Sequence, residues 1–411
     1  RTELPTLLAD LGRVCVATGR CEDGLTAYTE ARKLTPDPVA RAMLDRERGY
    51  ALNVLGRPDE ALRVLRAARR AAKAAGEDGR HVLAALAVTE AGIRLRQARW
   101  ADARGLAAEA AELLEGRPGA DPRVLADAYR YQDIAASELE GDAAMTHLQQ
   151  ALELYDAAGD ELSKSKVLSL LGVRSYYRGD WVSAAGLYGQ AREAAEAAGD
   201  VVGAAIEAAN AAEVLIDQGR VEEAAPLVRT ALRVFTASGS PYLVAFITGF
   251  RGRGELRSGD FHTARERFTE AAEQFGALEE VDAQADVLVR RVEADLLLDL
   301  DSARQEVAAL ADRELPGPPA SQLLRHRSRL AELDGDPDAA RELARQAADV
   351  PGATPFDRAL ALVRLAELDA PAAAALRDEA ETILRQLGVV DVEKLLGGGL
   401  ARDPSTVPFS V

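Results

Sequence analysis

The sequence predicts an all-α chain built as a solenoid of about ten antiparallel helical hairpins. Three observations carry that reading. A turn glycine recurs at 19, 56, 141, 179, 219, 259 and 335, with Ala98 standing in once and acidic turns near Asp299 and Asp369 twice, at spacings between 34 and 43 residues. Five residues after six of these glycines comes a small residue (Gly24, Ala61, Ala184, Ala224, Ala264, Ala340), Ala103 following Ala98 in the same way, and seven further on comes a second (Ala31, Ala68, Ala110, Ala191, Ala231, Ala271, Ala347). Two small residues seven apart share one helix face, where a neighbouring helix can approach closely. Finally, no run alternates with a strand's period of two for long enough to compete.

The stretch 172–212, GVRSYYRGDWVSAAGLYGQAREAAEAAGDVVGAAIEAANAA, shows the unit most fully. The first helix of each hairpin ends at the marker glycine, where a left-handed residue carries no Cβ strain. Asp142, Asp180, Asp260 and Asp336 follow as caps for the second helices. The hairpin at Gly141 fits once two residues are removed from its turn, which brings Ala151 into the second small slot. Toward the end the array is expected to weaken. Leu315-Pro316-Gly317-Pro318-Pro319 and Pro351-Gly352-Ala353-Thr354-Pro355 are read as non-helical interruptions, and hairpins beyond Pro316 as the least stable. Residues 1–390 are assigned to the repeat array. Residues 391–411, with Gly397-Gly398-Gly399, are assigned to a poorly ordered C-terminal tail.

Composition narrows the function classes. The net charge of −17 argues against direct nucleic-acid binding, which rests on basic residues neutralising phosphates. That charge is uneven: residues 1–120 carry 20 basic and 17 acidic residues, and 121–411 carry 30 and 50. No stretch approaches a membrane span. The opening Arg-Thr-Glu-Leu-Pro has no initiator Met and no signal-peptide layout, so the chain reads as an excised segment or processed product. Cys15 and Cys21 occupy positions the repeat would bury and read as free thiols of a reducing, cytoplasmic setting.

The layout Gly172, Gly179-Asp180-Trp181, Ala184, Tyr188, Ala191 resembles the tetratricopeptide repeat. Gly12, Gly49 and Gly252 match that family's mid-helix glycine, and Tyr28 and Phe268 its second-helix aromatic. The period near 40 is similar to that of the long-repeat branch in kinesin light chains and large bacterial signal-transduction ATPases. Residues 45–75 and the ending EAETILRQLGVVDV also resemble the C-terminal repeats of actinobacterial multidomain NTPase, nucleotide-cyclase or transcription-regulator proteins. The resemblance implies a right-handed superhelix whose concave wall is built by first helices. It places Tyr50, Asn53, Tyr176, Tyr177, Asp217, Arg253 and Arg257 on that wall, at positions six, three and two before each marker, with Tyr131 one turn earlier in its own helix. Val54, Val173, Glu213, Ile216 and Leu256 share the register.

No catalytic, cofactor or metal constellation emerges. His81, His147, His262 and His326 stand apart without metal-ligand spacing and read as ordinary surface or interface residues. Gly249, Gly252 and Gly254 lie in a helix rather than after a strand, so packing is favoured over a dinucleotide loop. Gly159–Ser165 is read as a helix start rather than a phosphate loop, and Glu222-Glu223 and Glu279-Glu280 as solvated faces. The basic run Arg63, Arg66, Arg69, Arg70 and Lys73 is either a solvated face or a docking stripe for an acidic neighbour. The expectation is therefore a non-enzymatic interaction and regulatory module, part of a larger signal-transduction protein, binding a protein, a peptide or another domain of its parent chain. The alternative is a receptor module for a small signalling peptide in a bacterial transcription regulator. Oligomeric state is left open.

Overall fold

The computed structural model describes residues 3–141 and 145–396. Among the described residues there is no strand, and the ten hairpins fall where the turn markers place them. The chain divides into two compact units, residues 1–167 and 168–411.

In the first unit α1 (Glu3–Ala17) pairs with α2 (Cys21–Leu34), and α3 (Pro38–Val54) with α4 (Pro58–Ala74). There α5 (Arg80–Arg96) pairs with α6 (Trp100–Leu114), and α7 (Pro122–Glu140) with α8 (Leu148–Ala157). Helix α9 (Glu161–Tyr177) crosses the boundary and precedes α10 (Trp181–Ala197). In the second unit follow the hairpins of α11 (Val201–Asp217) with α12 (Val221–Ser238) and α13 (Pro241–Ser258) with α14 (Phe261–Ala277). After them come α15 (Val281–Leu298) with α16 (Leu300–Leu310), α17 (Pro318–Leu333) with α18 (Pro337–Ala348), and α19 (Pro355–Leu368) with α20 (Ala373–Gln386). A five-residue helix, α21 (Val392–Leu396), closes the described chain.

The marker residues behave as their chemistry requires. All seven marker glycines have positive φ, between 73° and 89°, and Ala98 adopts the same conformation at 53° despite its Cβ. Asp299 and Asp369 do not imitate them: they end the first helix at negative φ, −159° and −122°, instead. Asp180, Asp260 and Asp336 cap the second helices, accepting from Ser183 N, Thr263 N and Ala339 N at 3.1, 3.1 and 3.0 Å. Asp142 lies outside the described residues. Its helix α8 is capped from a distance: the buried Asp133 on α7 accepts from His147 N at 2.6 Å and Leu148 N at 2.8 Å. Asp160 accepts from Ser163 N at 3.0 Å, which makes the 159–165 stretch a helix start.

The mid-helix glycines are places of close helix approach. A Cβ on Gly12, Gly49, Gly172 or Gly252 would fall 2.6–2.8 Å from the side chain sixteen residues later, Tyr28, Leu65, Tyr188 or Phe268. Each pair locks a second helix across a first, and the small residues at the repeat's two slots complete the seam, with Ala31, Ala191, Ala231 and Ala271 fully buried. Cys15 and Cys21 are buried free thiols.

Two of the array's expected interruptions need correction. Pro318-Pro319 and Pro355 are helical, because proline's fixed φ and missing N–H suit the first turn of a helix, and they open α17 and α19. The non-helical links are shorter, and their glycines touch: a Cβ on Gly317 would fall 3.0 Å from the carbonyl oxygen of Gly352. The hairpins beyond them are not loose ends of a linear stack. A single apolar cluster joins Ala347, Leu362, Leu384, Val389 and Leu395 to Tyr176, Trp181, Tyr188 and Val214. Trp181 meets Phe356 with ring centroids 5.6 Å apart, and a Cβ on Gly179 would sit 2.9 Å from the Pro355 ring. The end of the second unit thus folds back onto its beginning. Residues 391–396, assigned to the tail from sequence, belong to this closure, while 397–411 lie outside the described residues.

Candidate functional site

The eight residues expected on the concave wall divide between the units. In the first, Tyr50 is 47% exposed, and Tyr131 lies against Gly92 with the Arg130 guanidinium 4.5 Å above its ring. The Asn53 amide, oriented by its surroundings, presents its carbonyl to Arg96. The basic run on α4 is not uniformly solvated. Arg69 turns inward to pair with Glu90 at 2.9 Å and with Glu109, while Arg63, Arg66, Arg70 and Lys73 are exposed.

In the second unit the other five come together at the C-terminal ends of α9, α11 and α13, around a cavity of about 80 Å³. Their neighbours in the register, Glu213, Ile216 and Leu256, line it too. Each first helix presents its last turns here, so the repeat stacks equivalent positions side by side. Tyr176 donates its hydroxyl to Asp217 at 2.6 Å, and Arg253 bridges Asp217 at 2.6 Å and Glu213 at 2.5 Å. Tyr177 packs edge-on against Tyr176, with centroids 5.5 Å apart, but stays 45% exposed. Arg253 is not free for a partner, because two carboxylates of its own wall already hold it.

Burial sets the electrostatics. It pushes the Tyr176 phenol well above its ordinary pKa, helped by the Asp217 charge, and raises the Glu213 carboxyl against the pull of Arg253. Burial works against the Arg253 charge as well, but Asp217 and Glu213 outweigh it and hold the guanidinium above its usual value.

Arg257 differs. It is only 8% exposed, and its Nη2 donates to Asp391 at 2.6 Å, a carboxylate 134 residues along the chain. Its Nη1 has no hydrogen-bond partner among the described residues. Sequence reasoning missed the opposite side of the cavity, supplied by Gln322 and Arg325 of α17 and by Phe356, Asp357 and Leu360 of α19. No periodic signal marks that return. Glu293, by contrast, stands six residues before the acidic turn at Asp299 and lines the cavity as the register requires. The sequence reading also left His326 among surface or interface residues. It is 3% exposed, and burial, with Arg325 nearby, holds its imidazole well below the ordinary pKa.

Among the described residues no cluster of His, Cys, Asp or Glu could hold a metal ion, and no helix is long and apolar enough to cross a membrane. No family model and no curated protein matches the chain in sequence. Solved structures do match in fold. A signal transduction ATPase with numerous domains and a tetratricopeptide repeat sensor, from Pyrococcus horikoshii, is 16% identical with a TM-score of 0.58 over 84% of this chain. The match spans about half of that protein, 52%. A Rap protein complexed with Competence and Sporulation Factor gives 0.60 at 15% identity, covering 88% of this chain and 99% of that one. Human IFIT1, solved as a dimer with m7Gppp-AAAA, gives 0.51 at 15% identity, covering 96% and 89%. Turn markers, helix seams and structural likeness agree, and in fold the chain is a tetratricopeptide-like helical repeat protein.

Proposed function

We propose that the chain is a non-catalytic interaction and regulatory module, working in a larger signal-transduction protein, and that the first-helix wall of its second unit binds a protein or peptide partner. One observation carries the reading. That wall already holds a piece of polypeptide through main-chain bonds: Gln218 O accepts from Val390 N, and Gln218 Nε2 donates to Leu387 O, both at 2.9 Å. A wall that binds backbone in cis has the chemistry to bind it in trans. The acidic excess of residues 121–411 would speed the approach of a basic partner and make association salt-sensitive.

The second reading, a receptor module for a small signalling peptide in a bacterial transcription regulator, draws on the same bonds. It is supported by the likeness to a Rap protein solved with Competence and Sporulation Factor.

Tyr177 tests the wall because it is exposed there and carries no structural hydrogen bond in the Asp217 network. Affinity capture with the full chain is compared with Tyr177→Ala and with Arg63→Gln/Arg66→Gln/Arg70→Gln. The expected result is at least fivefold weaker capture by the tyrosine variant and unchanged capture by the arginine variant. The reverse pattern moves the interface to the α4 stripe and overturns the proposal.

A further inference from the structure

Among the described residues, the hydrogen bond that spans the longest stretch of chain is made by a short segment. After α20 the backbone turns at Gly388, with φ of 74°, and runs past the ends of α11 and α13. Gln218 brackets it with the two bonds described above. Lys394 then donates to Arg257 O at 3.2 Å, and Val389, Val392 and Leu395 are buried while Val390 points outward.

The chemistry under the segment is specific. Helix α11 ends with carbonyls left open by its own i→i+4 ladder, and Ile216 O accepts the tighter turn bond from Gly219 N, at 2.9 Å. Arg257 leans over two of them, with Nε 3.4 Å from Ile216 O and Nη2 3.4 Å from Asp217 O, and the same Nη2 donates to Asp391. Gly219 forms the floor: a Cβ there would fall 2.8 Å from Asp391 Oδ1, so the carboxylate approaches only because position 219 has no side chain. If Asp391 leaves, a buried guanidinium loses the one carboxylate it pairs with among the described residues, and leaving a buried charge unpaired is strongly unfavourable. Departure therefore calls for another carboxylate in the same place.

We propose that Gln218, Gly219 and Arg257 form a binding site for a short apolar peptide segment bearing a carboxylate, and that residues 388–395 occupy it as an internal ligand. A partner presenting the same chemistry, two apolar residues followed by an acid, competes with that segment and replaces it. The net acidic field acts on approach over long distance, whereas this site acts on register at contact, so a basic partner with one such acidic segment satisfies both. Because the segment follows the turn at Gly388 and lies outside the ten helical hairpins, its departure breaks none of the helix pairs beneath it.

This inference rests on the reading that the wall binds a partner, but its test uses the chain's own segment as probe. A fluorescein-labelled peptide of residues 385–396, RQLGVVDVEKLL, is titrated by anisotropy against the full chain and against full-length Asp391→Arg. In the variant the internal segment is repelled by Arg257, and the peptide is expected to bind at least tenfold more tightly than to wild type. Adding Arg257→Gln should remove that gain, and a peptide with Asn in place of its Asp should bind the variant at least fivefold more weakly. If circular dichroism shows that Asp391→Arg does not fold, Asp391→Asn takes its place with a gain of threefold or more. Affinities within twofold for wild type and variant, absence of binding to either, or a gain that survives Arg257→Gln would each overturn the site. None of those results alters the capture experiment with Tyr177→Ala, so the two proposals fail separately.

Discussion

At the scale of single residues, burial decides what the charged groups can do. His326 is held neutral inside the second unit, so the unfolded chain takes up a proton near pH 6.5 and the folded chain does not. Its contribution to stability is complete above the unfolded pKa and is lost as pH falls below it. Between pH 6.5 and the lower folded value, one such group costs about 1.4 kcal/mol per pH unit. Wild type should therefore lose stability relative to His326→Leu, by up to about 1 kcal/mol, when urea unfolding is compared at pH 6.5 and 5.5. Parallel pH profiles for the two proteins would show that the imidazole titrates normally in the fold. The sequence marks His326 no differently from the exposed histidines, because its burial depends on helices that pack around it rather than on its spacing.

At the scale of helices, the register is readable because several hairpins repeat the same steric problem. A glycine admits an aromatic or leucine sixteen residues on, and two alanines seven apart admit the next helix. Ala191 on α10 and Ala231 on α12 are both fully buried. Leucine at either should overpack the seam and cost about 1–3 kcal/mol. Val182, 77% exposed on α10, provides the control, and Val182→Leu should leave the melting temperature unchanged. An Ala191→Leu chain that melts with wild type would put the helix seams elsewhere. The same register places Tyr176, Tyr177, Asp217, Arg253 and Arg257 on the ends of neighbouring first helices, and in the structure all five line one cavity. It did not indicate that Arg253 is already neutralised by Glu213 and Asp217, since a pairing between neighbouring repeats has the same sequence spacing as a row of free groups.

At the scale of the whole second unit, sequence and structure part company. A linear array should fray from its end, and two proline-rich links pointed to hairpins beyond Pro316 as the weakest. Instead α19, α20 and α21 share an apolar cluster with Tyr176, Trp181 and Val214, through contacts that no local pattern encodes. Hydrogen exchange resolved by helix should accordingly find α19 as protected as α11. Faster exchange in α19 would mean that nearest-neighbour stacking, and not the return contact, sets stability there.

The return contact also imposes an order in time. Arg257 is made 134 residues before the Asp391 that covers it. At synthesis rates of about 5–20 residues per second, this leaves the guanidinium and the wall around it uncovered for roughly 7–27 s in each nascent chain. During that interval the hairpins up to α14 can stack on local contacts alone, while the site beneath them stands open on the ribosome. A partner made nearby meets no competitor until residues 388–395 emerge.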